Sequence, residues 1–377
     1  MTRCESQHRI IHVLTALCLL VVSPIFAEDQ LRSPWDGHPV KLTDASYSCP
    51  AIVHLSADLT TNGFYSDSKS SIIDPEKWKA YTATAGPYKD LGNRIVDAAD
   101  AYRATGSRAA VDCVLQHMEA AAKDGVFTGK MSSNQAYYVQ GWVIGAVAIA
   151  YLKVRDSGLI STAQRETILP WIEKVVSQSQ DYFEAHRKNA AGDAQNNHLY
   201  WAGVEVAAAG IAANNQKLFD WGMETYHAGI SQIQPDGSLP QEMRRGQRAL
   251  HYHLYALAPL VYLAEFGEDN GLHSYAERDF AIKCHRHSFR LHIWTLPKLQ
   301  HARNPPQFQR CFPPLARSFL RAAISLRRSV GGMASTSRVR FGSLASMISR
   351  AARSRASSSL ARSAFHRSSA TQWARAR

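Results

Sequence analysis

From Tyr88 to Phe266, apolar residues recur at three- and four-residue spacing, broken only by short Gly, Asn, Asp or Ser punctuation, and no stretch alternates as a strand would. That texture restricts the chain to an all-α fold. It predicts helices over 88–104, 107–123, 134–156, 162–186, 196–213, 215–233 and 243–266, with breaks at Thr105-Gly106, Asp124-Gly125, Asp156-Ser157-Gly158 and Pro235-Asp236-Gly237. Helices joined by short turns alternate in direction, and successive antiparallel hairpins stack as a solenoid, a bundle or a double-layered toroid. No fixed-length repeat is present, which counts against an armadillo or tetratricopeptide array. Periodicity leaves the other architectures open.

The net charge of +12 hides a division. Residues 280–377 hold 19 of the 43 Lys and Arg and none of the 31 Asp and Glu, so the first 279 residues carry a net −7. At the other end, Arg3 and Arg9 precede an apolar run from Ile10 to Val22, and Ile25-Phe26-Ala27 offers a processing site before Glu28. This reads as an export signal over 1–27, because the run is shorter than the roughly 20 residues of a spanning helix. No membrane attachment is expected once it is removed. Of the six cysteines, Cys4 and Cys18 leave with the signal and Cys284 and Cys311 lie in the basic tail. Cys49 and Cys113 remain in the body, either crosslinked in an oxidising compartment or present as two buried thiols.

Two short segments concentrate chemistry. In Gln195-Asn196-Asn197-His198-Leu199-Tyr200-Trp201, the residues Asn197 and His198 fall in the first turn of a predicted helix, where unpaired N–H groups and the helix dipole favour an anion. Trp201 and Glu205 follow His198 at i+3 and i+7, which sets an aromatic platform beside the imidazole. About fifty residues on comes Arg245-Gly246-Gln247-Arg248-Ala249-Leu250-His251-Tyr252-His253. Read as one helix over 243–266, Arg245, Arg248, Tyr252 and Tyr255 share a stripe, and Leu250, Leu254, Leu257 and Val261 form a second stripe that can pack into the core. An amide, an imidazole, guanidiniums and a phenol suit chemistry on a carboxylate-bearing substrate, and a cation beside Tyr252 favours its phenolate.

Both segments resemble the signature regions of the polysaccharide lyase family 5 alginate lyases, the periplasmic poly(β-D-mannuronate) lyases. The likeness runs from about Pro34 to about Phe280. The resemblance implies an incomplete (α/α) toroid or barrel with a deep cleft over residues 28–280, acting on mannuronate-rich alginate by β-elimination. It also implies endolytic action in the periplasm, a monomer and no metal cofactor. Carried over to this sequence, it makes Asn197 and Arg245 neutralisers of the sugar carboxylate, His198 a neutraliser or base, and Tyr252 base and acid. A comparable loop is a lid in that family, so Tyr65 and Lys69 in the polar, mobile-looking segment 57–75 are candidate substrate contacts. Gln135, Tyr138 and Trp142, with Trp201 and Arg248, complete the candidate subsites.

Other chemistries have less support. His251 and His253 are two apart on a helix and point about 200° away from each other, unlike the i, i+4 spacing of a metal-binding helix. A zinc site formed by these with His198 is therefore not expected. No Gly-rich phosphate loop, Gly-x-Ser-x-Gly elbow or Cys-x-x-Cys pair occurs in the body. A glycoside hydrolase on the same helical toroid is the competing enzyme, with Glu205, Asp236 and Glu242 as its carboxylates. A non-catalytic polyuronate-binding relative is the alternative without chemistry. Residues 281–377 read either as a polyanion-binding arm or as translation in a shifted frame. The frame shift explains why periodicity, composition and likeness end together; it predicts a poorly packed or disordered tail and no nucleic-acid partner.

Overall fold

The computed structural model describes residues 30–190 and 192–279. The expected signal segment and the basic tail after residue 280 lie outside the described residues. Eight helices are described: α1 (Pro75–Thr105), α2 (Arg108–Lys123), α3 (Asn134–Val154), α4 (Thr162–Lys188), α5 (Asn197–Ala213), α6 (Gln216–Ser231), the single turn α7 (Pro240–Met243) and α8 (Ala249–Asp269). Among the described residues, extended pairing is limited to isolated bridges such as Thr43 with Ser107 and Leu59 with Met131. The all-α expectation holds.

Local chemistry sets the helix starts. Asp74 caps α1 by accepting from the Glu76 and Lys77 N–H groups, with Pro75 at the first position where its missing donor costs nothing. Ser133 caps α3, Ser161 and Gln164 form a capping box on α4, and Asn196 and Asn215 cap α5 and α6. Helix α1 therefore begins thirteen residues before the expected 88. Gly86-Pro87 reads as punctuation, yet a capped helix runs straight through it. The expected helix over 243–266 is corrected more deeply. Gly246 adopts φ +56, a left-handed conformation open mainly to glycine, so α7 stops, a 3-10 turn spans Gly246–Arg248, and α8 starts afresh at Ala249.

The helices stack in two layers. α1, α3, α5 and α8 pack side by side, α2, α4 and α6 back them, and each hairpin joins one layer to the other. This is an arc of the expected (α/α) toroid. α3 and α5 are apolar nearly all round and buried on almost every face, as helices enclosed by neighbours must be. α5 and α6 approach so closely that a Cβ on Gly222 would lie 2.5 Å from the Ala207 Cβ and 2.7 Å from the Gly203 carbonyl. The stripe expected to face the core from α8 is also corrected. Leu250, Leu254, Leu257 and Val261 are only half-buried, whereas Tyr255, Ala256, Leu260 and Leu263 are enclosed.

Alternation of direction along short-turn hairpins has a functional consequence. The helices of the first layer point the same way, so their N-terminal ends gather at one edge of the arc. Residues 30–74 cross the helix ends as an arm. The Arg155 guanidinium ties this arm down, binding Asp36 and donating to the carbonyls of Leu31 (3.1 Å) and Ile211 (2.8 Å). Cys49 in the arm is disulfide-bonded to Cys113 in α2, 64 residues away, which selects the crosslinked reading over the two thiols.

Closing a 64-residue loop restricts the unfolded chain, and the entropic account gives a stabilisation of about 4 kcal/mol, at the upper end of the usual range for a disulfide. Cys49→Ser with Cys113→Ser should lower the free energy of unfolding by that amount in denaturant titration without reductant. An unchanged midpoint would show that the arm is held by its polar contacts alone.

Candidate active site

Glu242 ties the two chemical segments together. It ends up buried beside the N-terminus of α5, where its carboxylate accepts from both the Asn197 backbone N–H and the Asn197 side-chain amide, each at 2.9 Å. Asn197 is thereby fixed at 0% exposure at the head of α5, next to His198. Because α7 leads directly into Arg245, the same contact delivers the second segment to the first. Burial pushes the Glu242 carboxyl up, against the opposing pull of Asn197 and Arg245.

Arg245 and Arg248 lie outside the helix on which they were expected, so their common face with Tyr252 comes from the turn and not from helical register. The Arg245 guanidinium rests on the Tyr252 ring, 3.4 Å from its centroid. The phenol itself is hydrogen-bonded to the Tyr65 hydroxyl at 2.6 Å. Burial raises the Tyr252 pKa well above the phenol range, Tyr65 adds to this, and the counter-pull of Arg245 is smaller. The expectation of a favoured phenolate is therefore reversed while the site is closed, because desolvation outweighs one cation.

The closing element is the segment that carries Tyr65. Its Ser70 carbonyl accepts from Arg245 at 3.2 Å and its Ser71 carbonyl from Arg248 at 2.9 Å. The segment is also folded on itself, because the Asp67 carboxylate accepts from the Ser71 and Ile72 N–H groups and the Ser71 hydroxyl. It is thus an organised flap and not a slack linker. Lys69 stands with Ser68, Asn196, Gln241, Arg244 and Arg245 around an open cleft of about 520 Å³. That lining contains cations and no carboxylate.

The side chains around His198 are aromatic and line a separate, small void. Tyr138 stacks on His198, with centroids 3.8 Å apart and planes 18° from parallel, and Trp142 lies behind them at 6.2 Å from His198. Trp142 and Trp201 both contact Tyr255, which meets Tyr252, so rings run continuously from the imidazole to the phenol. Trp201 is only 6% exposed and lies under the site, not on its surface. Gln135, one turn before Tyr138, is half-buried with its Nε2 enclosed and unpartnered. Burial and the Arg245 charge lower the His198 pKa to about 3, so the imidazole is neutral at working pH.

Three supporting residues escaped sequence reading. Asp193, in the 3-10 turn before α5, accepts from the hydroxyls of Tyr138 (2.8 Å) and Tyr182 (2.6 Å) and from His186 Nδ1 (2.8 Å). Burial raises its pKa, but these three donors outweigh that and hold it low. Tyr138 is thus anchored through its hydroxyl and presents its ring to His198. Tyr182 and His186 stand at i and i+4 on α4, which was the available signal.

The carboxylates proposed for hydrolysis do not face each other. Glu205 is sealed beneath His198 against Ser179, Glu242 is occupied by Asn197, Asp236 is exposed in a turn, and none of the three lines the open cleft. His253 is also accounted for: Nδ1 donates to the Ala249 carbonyl and Nε2 accepts from the Leu239 N–H.

Fold and site together describe a helical double layer with a cationic cleft at one edge, and comparison with known proteins agrees. The sequence model of the alginate lyase family matches residues 58–283, so the chain belongs to the alginate lyase family of polysaccharide-cleaving enzymes. A polysaccharide lyase of Stenotrophomonas maltophilia is 38% identical over 249 residues, covering 65% of this chain and 73% of that protein. An alginate lyase of Pseudomonas syringae pv. syringae is 32% identical, with 65% of each covered. An alginate lyase of Azotobacter vinelandii is 31% identical, and the match spans 64% of its length. Among solved structures, alginate lyase A1-III from Sphingomonas species A1 shares the fold, with a TM-score of 0.56, 24% identity, and coverage of 65% of this chain and 69% of that one.

Glu205 yields a prediction. Burial raises its pKa to about 8 from an ordinary 4.5. Stability that rests on the protonated form is complete below about 4.5 and is lost as pH rises through 8. Glu205→Gln should therefore gain stability relative to the parent chain as pH is raised from about 5 to 8, read from denaturant midpoints at each pH. A constant difference across that window would place the proton elsewhere.

Proposed function

We propose that this protein cleaves mannuronate-rich alginate endolytically by β-elimination, acting as a monomer in the periplasm without a metal cofactor. The observation that carries this reading is the Arg245 guanidinium, which lies on the Tyr252 ring and lowers the His198 pKa through its charge while itself lining a cleft that holds cations and no carboxylate; Asn197, His198 and Tyr252 lie behind that lining. In support, variants of the Sphingomonas enzyme have been solved with a tetrasaccharide.

The chemistry has three tasks. The C5 proton of a uronate is weakly acidic because the adjacent carboxylate is already negative, so that charge must be neutralised first. Asn197 and Arg245 do this, and they stabilise the doubly negative enolate that forms on abstraction. Neutral His198 adds a hydrogen-bonding imidazole to the same face. Tyr252 acts as the phenolate, its own proton passing to solvent once Tyr65 has parted from it; it takes the C5 proton and returns it to O4 as the C4–O4 bond breaks, leaving a C4–C5 double bond on one product and a hydroxyl on the other. In mannuronate the proton and the leaving oxygen share a face, so one phenol reaches both.

Substrate entry must part Tyr65 from Tyr252. That removes the contribution of Tyr65 to the raised pKa and leaves Arg245 with a larger share of control. Lys69 and Arg248 then face the polymer along the flap, with Gln135, Tyr138, Trp142 and Trp201 forming and backing the subsite wall.

The test is absorbance of the conjugated double bond during incubation with poly-mannuronate and poly-guluronate. Poly-mannuronate should give the faster rise, Tyr252→Phe and His198→Ala should nearly abolish it, and Asn197→Ala should slow it by about 10²- to 10³-fold. Chain shortening without ultraviolet absorbance would favour hydrolysis, and binding without shortening would favour a non-catalytic relative.

A further inference from the structure

Far from the cleft, α2 carries Cys113 and His117 at i and i+4, on one face of the helix. Cys49 reaches them from the arm, and the ligand atoms of the three residues all lie within 4.8 Å of one another. Cys113 and His117 are each 1% exposed, while Cys49 is open to solvent.

The state of His117 can be worked out. Its Nε2 lies 3.1 Å from the Pro50 carbonyl oxygen, which can only accept, so Nε2 carries the proton. Its Nδ1 therefore bears the lone pair, and this atom is buried without a hydrogen-bond partner. A neutral imidazole with one nitrogen tied to a backbone carbonyl and the other free is the usual arrangement of a metal-ligating histidine.

We propose that, when the Cys49–Cys113 disulfide is open, the Sγ atoms of Cys49 and Cys113 and His117 Nδ1 bind one zinc-class divalent cation. Zinc takes thiolate at about 2.3 Å and imidazole at about 2.0 Å in tetrahedral geometry, which sets neighbouring ligand atoms about 3.5 Å apart. To reach this arrangement the two sulfurs must separate, and ligand atoms that now lie within 4.8 Å of one another must settle at that spacing. The solvent-exposed arm carrying Cys49 can supply the movement, and the open side leaves a fourth position for water. A trialkylphosphine opens the disulfide with one water, giving the phosphine oxide and two thiols, and the metal then displaces two thiol protons. The cation would close the same 64-residue loop as the disulfide, so it would serve the chain before oxidation.

Cobalt(II) as a spectroscopic probe, followed by zinc competition, tests this on the full chain reduced with tris(2-carboxyethyl)phosphine. The reduced protein should show thiolate-to-cobalt charge transfer and tetrahedral visible bands at one equivalent, bleached by zinc, and zinc should raise its melting temperature. The oxidised protein should show neither effect. Cys113→Ser should abolish the bands, and His117→Ala should weaken binding by at least about tenfold. Circular dichroism of oxidised His117→Ala before reduction establishes that this variant is folded. The proposal is overturned if the reduced parent chain gives no bands, or if the bands persist unchanged in Cys113→Ser or His117→Ala, since the signal would then come from other ligands.

Discussion

The carboxylate of Glu242 holding both the backbone and the side-chain amide of Asn197 is the contact on which the site depends. Together with the Gln241 amide donating to Gln195 Oε1 at 3.2 Å and the packing of α8 on α5, it joins the head of α5 to the turn carrying Arg245, about fifty residues on. The contact also satisfies one of the unpaired donors at the start of α5, so a functional residue is positioned by the same bond that caps a helix. Because Glu242 is buried, the bond is shielded from water and the position of Asn197 is well determined.

Around that junction the fold supplies the electrostatics. Parallel helices of the first layer bring several N-termini to one edge, and each contributes partial positive charge towards an anionic ligand. The body is acidic overall, so attraction to a polyanion rests on this edge and on the local cations Lys69, Arg244 and Arg245. Burial keeps His198 neutral and Tyr252 protonated, and it keeps Tyr138 stacked on the imidazole through the Asp193 anchor. The flap adds a second level of control. Its Tyr65 hydroxyl occupies the Tyr252 phenol, and its Ser70 and Ser71 carbonyls occupy the Arg245 and Arg248 guanidiniums.

Much of this was legible in the sequence because it rests on local rules. Helix periodicity and caps gave the all-α class, and Asn197 and His198 do fall in the first turn of a helix. The errors arise where local rules compete. Gly86-Pro87 carries a breaker signal that the long capped helix α1 overrides. Gly246 looks like one residue in a helical run, yet its positive φ resets the helix, so the shared face of Arg245 and Tyr252 was expected for the wrong reason. The core stripe of α8 was misplaced because the helix is apolar on more than one face, and only its packing on α5 and α6 decides that Tyr255, Ala256, Leu260 and Leu263 are the enclosed ones. The Tyr252 pKa shows a different limit, since a nearby cation is visible in sequence and desolvation is not. Asp193, Tyr182 and His186 were missed because their relation is a contact between a turn and the end of α4, which periodicity does not encode.

In the proposed reaction an amide and a guanidinium from distant segments act on one sugar carboxylate. A double-mutant cycle on the rate of unsaturated product formation, using Asn197→Ala, Arg245→Ala and the pair, measures this directly. Two groups sharing one carboxylate should be coupled, with the pair departing from the sum of the single losses by more than about 0.5 kcal/mol. Losses that simply add would mean that Asn197 and Arg245 act at separate places and share no carboxylate.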